Sequence, residues 1–137
     1  MSEPSAQARA EEQAAAMYAA DLASRSLGIS ISGVAPGRAT ATMVVTDTMV
    51  NGHGICHGGY VFLLADTAFA FACNTRGATV VAAGADITFV APVRVGEQLV
   101  AEAVERVVRG RSGVYDVTVH RGDAVVAEFR GRSRALS

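Results

Sequence analysis

A His-Gly-Gly turn at His57, Gly58 and Gly59 opens a long apolar segment in which one carboxylate, Asp66, stands among Phe62, Leu63, Leu64, Ala65, Phe69 and Phe71. Desolvating a carboxylate without partners is costly, so an acid in such surroundings needs a reason, and acid–base or nucleophilic chemistry is the simplest one. Backbone N–H groups at a helix start have no intrahelical acceptor and carry the positive end of the helix dipole. Gly58 and Gly59 therefore offer donors to an oxygen that becomes negative. Two glycines also let a ligand come close to the backbone, although a plain helix-entry turn has the same composition. Upstream, Asn51 lies in the loop Asn-Gly-His-Gly. Such a loop makes a turn, and the Asn51 amide is also suited to orient a water or hold a carbonyl. His57 is placed to support the loop or the substrate carbonyl. His53 reads as a surface loop residue, and His120, on the polar face of a late strand, takes no role.

The spacing has a consequence. Asp66 lies eight residues beyond Gly58, about 12 Å along one helix. One acyl carbonyl cannot touch both. If Gly58 polarises the carbonyl and Asp66 is the base or nucleophile, the two come from different chains, through helices lying antiparallel across a two-fold axis. The site then demands a dimer with two equivalent sites. The alternative for Asp66 is a structural carboxylate that caps a backbone group. Thr67 is placed to assist the carboxylate or a water, or else bonds back to its own helix.

The elements that must position these residues follow from pattern. Residues 4–25, rich in Ala, Glu, Gln and Arg, read as an N-terminal helix with Pro4 at its start, Gly28 at its end and few apolar positions (Met17, Tyr18, Leu22) to pack on the domain. Alternation from Gly37 to Thr46 predicts a strand. From His57 or Gly58 to about Asn74 the chain is apolar on every side, which belongs to a helix in the middle of something. Strands are expected over Thr79–Ala91, Gln98–Val108, Gly113–Arg121 and Ala124–Ser133, with Arg121, Gly122 and Asp123 as a tight hairpin. In the third of these, Tyr115, Val117 and Val119 take the dry face while Asp116, Thr118 and His120 take the wet one. Short connections make neighbours antiparallel, so the fold class is α+β: a curved antiparallel sheet wrapped around one buried helix.

The chain has 137 residues, half of them hydrophobic, and a formal net charge of −1. That size suits one domain over residues 1–137, with 1–27 as an N-terminal helical extension. The charge provides no field to draw in nucleic acid or an anionic membrane. Local anion sites are still open at Arg106, Arg109 and Arg111 and at Arg130, Arg132 and Arg134. No apolar run approaches the roughly 18 residues that cross a bilayer, and the first residues lack the order of a signal peptide. The expected location is the cytoplasm. Cys56 and Cys73 have no metal-type spacing and read as free buried thiols.

Asn51, His57–Gly59 and the run Leu64–Asn74 together resemble the hotdog-fold acyl-CoA thioesterases of the phenylacetic acid degradation type. The similarity continues through Asp86–Ala103 and Gly110–Val119. The resemblance implies that Asp66 activates water or attacks the thioester, that the Gly58 amide polarises the carbonyl, and that Asn51 places water or substrate with His57 in support. It also implies a dimer-of-dimers homotetramer and a reaction in which an acyl-CoA and water give a carboxylic acid and CoA. Gly59 and Thr67 are further candidates for substrate contact, and Arg109 and Arg111 for the CoA phosphates. No metal or redox cofactor is implied, since coenzyme A is part of the substrate. Phenylacetyl-CoA or hydroxyphenylacetyl-CoA is the expected substrate, with Phe62, Phe69 and Phe89 as walls of an aromatic pocket or as core, and short aliphatic thioesters are also open. The alternatives are a hydroxyacyl or enoyl thioester dehydratase or hydratase, which would set His53 against Asp66, and a non-catalytic acyl-CoA-binding module.

Overall fold

A computed structural model of the chain describes residues 3–136. The N-terminal helical segment is two helices, α1 (Ala6–Ala20) and α2 (Leu22–Ser26). Ser5 caps α1 by accepting from the Ala8 amide, so Pro4 lies outside the first turn and not within it. Asp21 explains the break, because it closes α1 and its carboxylate accepts from the Ser24 amide to start α2. Met17 and Tyr18 pack on the core as expected, with Ala14 beside them, and Ala10 is buried; Leu22, expected to pack as well, is 73% exposed. The Tyr18 hydroxyl donates to the Ile29 carbonyl at 2.6 Å.

Six strands follow: β1 (Ser30–Ala35), β2 (Arg38–Val44), β3 (Val80–Phe89), β4 (Gln98–Arg109), β5 (Ser112–Arg121) and β6 (Ala124–Ala135). The helix α3 (Gly58–Cys73) lies between β2 and β3 in the chain. The sheet order is β1-β2-β4-β5-β6-β3, and all pairings are antiparallel. β1 is a strand that pattern reading does not find. It is short, and its ladder is irregular around Gly33, whose φ is 57°. β3 and β4 follow one another in sequence but are not neighbours. The segment from Val90 to Glu97 carries the chain from the β3 edge back to the middle of the sheet.

The concave face explains why the helix fits. Ala39 and Ala41 on β2 pair with Ala103 and Ala101 on β4, making a floor of small side chains where the α3 backbone approaches closely. On β5 and β6 the floor is aromatic: Phe69 of α3 packs on Tyr115 and Phe129 with ring centroids 5.6 and 5.9 Å apart. Tyr115, Val117 and Val119 are buried and alternate with the partly exposed Asp116, Thr118 and His120, as the pattern predicts. This is the hotdog fold, a curved antiparallel sheet wrapped around a long helix.

The helix is not enclosed on every side. Val61, Leu64, Ala65, Ala68, Phe69 and Ala72 are buried, whereas Gly59, Phe62, Leu63, Asp66 and Ala70 form one stripe that stays partly open. The all-round apolar pattern therefore reports a sheet on one side and an uncovered apolar stripe on the other.

Candidate active site

The loop before α3 is built around Asn51. Its Oδ1 accepts from the His53 and Ile55 amides at 2.9 and 3.2 Å, and its backbone exchanges bonds with Ile55 and Gly54. A bridge between Val50 and Cys56 and the bond from the His57 amide to the Met49 carbonyl close the loop. The oxygen of the Asn51 amide is thus committed to the loop. Its NH2 group, which has no acceptor among the described residues, is the part free to meet a ligand.

His57 is the N-cap of α3, and its Nδ1 accepts from the Gly59 amide at 2.9 Å. An accepting Nδ1 carries no proton, which puts the ring proton of this exposed side chain on Nε2. Gly59 is therefore occupied by the cap and is not a free donor. The Tyr60 amide is taken by the His57 carbonyl. The Gly58 amide, at the first position of a 16-residue helix, has no acceptor among the described residues. It is the open donor of this turn.

Asp66 sits on the open stripe of α3, half-buried, and burial raises its pKa above the ordinary carboxylate value. Among the described residues no hydrogen-bond donor or cation reaches its carboxylate. The structural alternative, a carboxylate capping a backbone group, has no capped group to point to. A partly desolvated carboxylate with no protein partner among the described residues is suited to take a proton from water or to attack a carbonyl.

An apolar cavity of about 440 Å³ lies at the helix start, lined by Gly58, Ile55, Val61, Phe89, Val93 and Val126 among others. Phe89 is a site residue that the sequence reading placed only in a loose aromatic group. The alternation Ala85, Ile87, Phe89 along β3 was the available signal that it faces the helix.

Several expected residues lie elsewhere. Thr67 is buried one-quarter turn from Asp66; its hydroxyl donates to the Leu63 carbonyl at 2.8 Å and lies 3.3 Å from Ser24 Oγ. It braces α3 against α2. Phe69 is wholly buried in the aromatic core, and Phe62 packs edge-on to Phe129 at 5.3 Å, so neither lines the cavity. Arg109 and Arg111 are exposed on the β4–β5 hairpin, and Arg111 shares a small cavity with Cys73 and Arg76. That is the C-terminal end of α3, about 22 Å from Gly58 along the helix. Within one chain they are not brought to the helix start. Arg106 and Arg130 pair with Asp116, and Arg132 with Asp86, so these are not free anion sites. Burial pushes the Cys73 thiol up to about 12 and raises that of Cys56, so both stay protonated at neutral pH. Among the described residues no cluster of His, Cys, Asp or Glu is able to hold a metal ion, and no helix is long and apolar enough to cross a membrane.

Comparison with known proteins gives the chain a family. The family model described as "Thioesterase superfamily" matches residues 53–128. The acyl-coenzyme A thioesterase PaaI of Escherichia coli is 44% identical over 129 residues, covering 93% of this chain and 92% of that protein. The solved structure of the E. coli PaaI protein from the phenylacetic acid degradation operon superposes with a TM-score of 0.95 at 42% identity, covering 97% of each chain. A mutant form of the phenylacetic acid degradation protein PaaI from Thermus thermophilus matches with a TM-score of 0.80 at 35% identity, covering 82% of this chain and 97% of that one. The chain belongs to the thioesterase superfamily.

Proposed function

We propose that this protein is an acyl-CoA thioesterase that cleaves phenylacetyl-CoA or its ring-hydroxylated relatives, in the cytoplasm, through sites shared between two chains. The observation that carries the reading is a pair of groups on one helix that no partner among the described residues occupies: the Gly58 amide and the carboxylate of Asp66. The name of the E. coli relative supports the activity, and the phenylacetic acid degradation titles of the E. coli and Thermus structures support the substrate class.

In this mechanism the thioester carbonyl oxygen accepts from the Gly58 amide, and the Asn51 NH2 group steadies the oxygen or the attacking water. Asp66 of the partner subunit takes a proton from that water, hydroxide adds to the carbonyl carbon, and the C–S bond breaks to give the acid and CoA. In the alternative route Asp66 itself adds, CoA leaves, and water then hydrolyses the mixed anhydride. The Gly58 amide stabilises the oxyanion in both. Neither route calls on a metal or redox group.

The open stripe of α3 supports the dimer, since Phe62, Leu63 and Ala70 leave apolar surface exposed beside the carboxylate. An antiparallel pairing that sets Gly58 opposite the partner's Asp66 also brings the Cys73 end of α3 to the partner's Asn51 loop. Arg109 and Arg111 then stand near the other chain's site, where CoA phosphates would lie. Two such dimers would form the homotetramer. A dehydratase would need a histidine set against Asp66. His53 is exposed in the loop and His57 Nδ1 is held by the Gly59 amide.

The test is thiol release from phenylacetyl, hydroxyphenylacetyl, benzoyl and short aliphatic CoA thioesters by the wild type and by Asp66→Asn. Turnover of the aryl thioesters that falls about a hundredfold or more in the variant is expected for loss of a base or nucleophile. No release from any member, or release unchanged by the substitution, would overturn the reading.

A further inference from the structure

Phe89 is the last residue of β3, on the same face as Ala85 and Ile87, so its side chain rises toward α3. Its ring is nevertheless 53% exposed. It lies across the start of the helix instead of entering the core: a Cβ added to Gly58 would sit 2.8 Å from the ring tip and 3.3 Å from each flanking ring atom. Gly58 does not have a positive φ. Its lack of a side chain therefore serves to make room for the ring and not to relax the backbone.

The backbone beneath the ring is fixed. Phe89 pairs with Ala127, the next two amides, of Val90 and Ala91, both donate to the Val126 carbonyl, and the Cys56 amide donates to the Val93 carbonyl. The loop before α3 and the segment after β3 are thus tied into one unit around the cavity that Gly58 and Phe89 both line. A carbonyl oxygen held at about 2.9 Å from the Gly58 nitrogen has its carbon and first substituent atoms within reach of this ring.

Building on the thioesterase reading, we infer that Phe89 is a specificity-determining residue: its ring is the wall that an acyl group meets once its carbonyl rests on the Gly58 amide. Flat or unbranched groups lie along the ring, and groups branched next to the carbonyl collide with it. Removing the ring deprives an aryl group of a stacking partner and gives a branched group space.

Binding of 2-oxoalkyl-CoA thioethers, which keep a carbonyl but have no cleavable thioester bond, reads this without turnover. Calorimetric titration would compare a phenyl-bearing with a branched aliphatic analogue on the wild type, Phe89→Leu and Phe89→Ala. The expected result is a shift in the ratio of the two Kd values toward the branched analogue by about tenfold in Phe89→Ala and by less in Phe89→Leu. The kcat/KM ratio of the matching acyl-CoAs shifts the same way. In addition, Gly58→Ala lowers kcat/KM about a hundredfold in the wild type, but by about tenfold or less where Phe89 is already alanine. Ratios unchanged within about twofold, together with an equal cost of Gly58→Ala in both backgrounds, would overturn the inference. A shifted binding ratio in a protein that hydrolyses no acyl-CoA would instead support Phe89 as the wall and overturn the thioesterase reading alone.

Discussion

Gly131 lies in β6 with Tyr115 opposite it on β5 and Ala85 opposite it on β3. A Cβ at this position would fall 2.8 Å from three atoms of the Phe69 ring. Carbon atoms pack best at about 3.5–4.0 Å, so Gly131→Ala creates an overlap of about 1 Å. The ring has no room to retreat, being fully buried and flanked by Tyr115 at 5.6 Å and Phe129 at 5.9 Å. The strand has none either, since it is paired on both sides. The cost belongs at the upper end of the overpacking range, about 3 kcal/mol. Urea denaturation at fixed protomer concentration should show it as a midpoint lower by about 1 M or more. Phe69 follows Asp66 by less than one turn, so thiol release should fall as well. Phe69→Leu in the same background should recover part of the stability. A Gly131→Ala protein within about 0.5 kcal/mol of the wild type would refute the claim that this contact fixes the distance between helix and sheet.

Asp66→Asn should raise the melting temperature at pH 7. Its folded pKa is raised by burial, so the charged form costs stability above that pKa. The gain should shrink as pH falls through the raised pKa toward the ordinary value, and wild-type kcat/KM should fall over the same interval as the base is protonated. Phe62→Glu, which puts a charge on the open stripe, should yield monomers in sedimentation and lose thiol release, whereas Leu22→Glu at a 73% exposed position should do neither. Tyr18→Phe removes the 2.6 Å bond to the Ile29 carbonyl. Hydrogen exchange in α1 should then speed up by an amount worth about 1–2 kcal/mol.

Much of the fold is legible because its signals are local. The run from Gly58 has no alternation and ends where α3 ends, and the strand from Gly113 shows its two faces residue by residue. What escapes is set by tertiary contacts. β1 is a short, kinked edge strand whose alternation is interrupted at Gly33, so nothing in its sequence outweighs a loop reading. The break at Asp21 was open to inspection, as an aspartate three residues before the serine whose amide it caps. Asn51, His57, Gly58 and Asp66 stand out as candidates by residue type and spacing. What residue type and spacing do not show is that His57 occupies the Gly59 amide and leaves the Gly58 amide open. Thr67 shows the limit of adjacency: one step past Asp66 on a helix turns the side chain by about 100°, from the open stripe into the contact with Ser24. Phe89 and Gly58 are 31 positions apart in sequence, and only the fold brings the ring to the glycine.

Mixing of inactive subunits tests the shared site most directly. Asp66→Asn lacks the carboxylate; Gly58→Pro, at a first helix position where proline is accepted, lacks the amide donor and is combined with Phe89→Ala, which removes the ring that the proline Cβ would otherwise meet at 2.8 Å. Each variant, shown folded by far-UV dichroism, should be inactive alone. Unfolded together and refolded as a mixture, half of the dimers are mixed, and each mixed dimer regains one intact site. Thiol release should recover to about a quarter of the wild-type rate per chain. No recovery from a mixture that contains mixed dimers would place Gly58 and Asp66 of each site in the same chain and contradict the account.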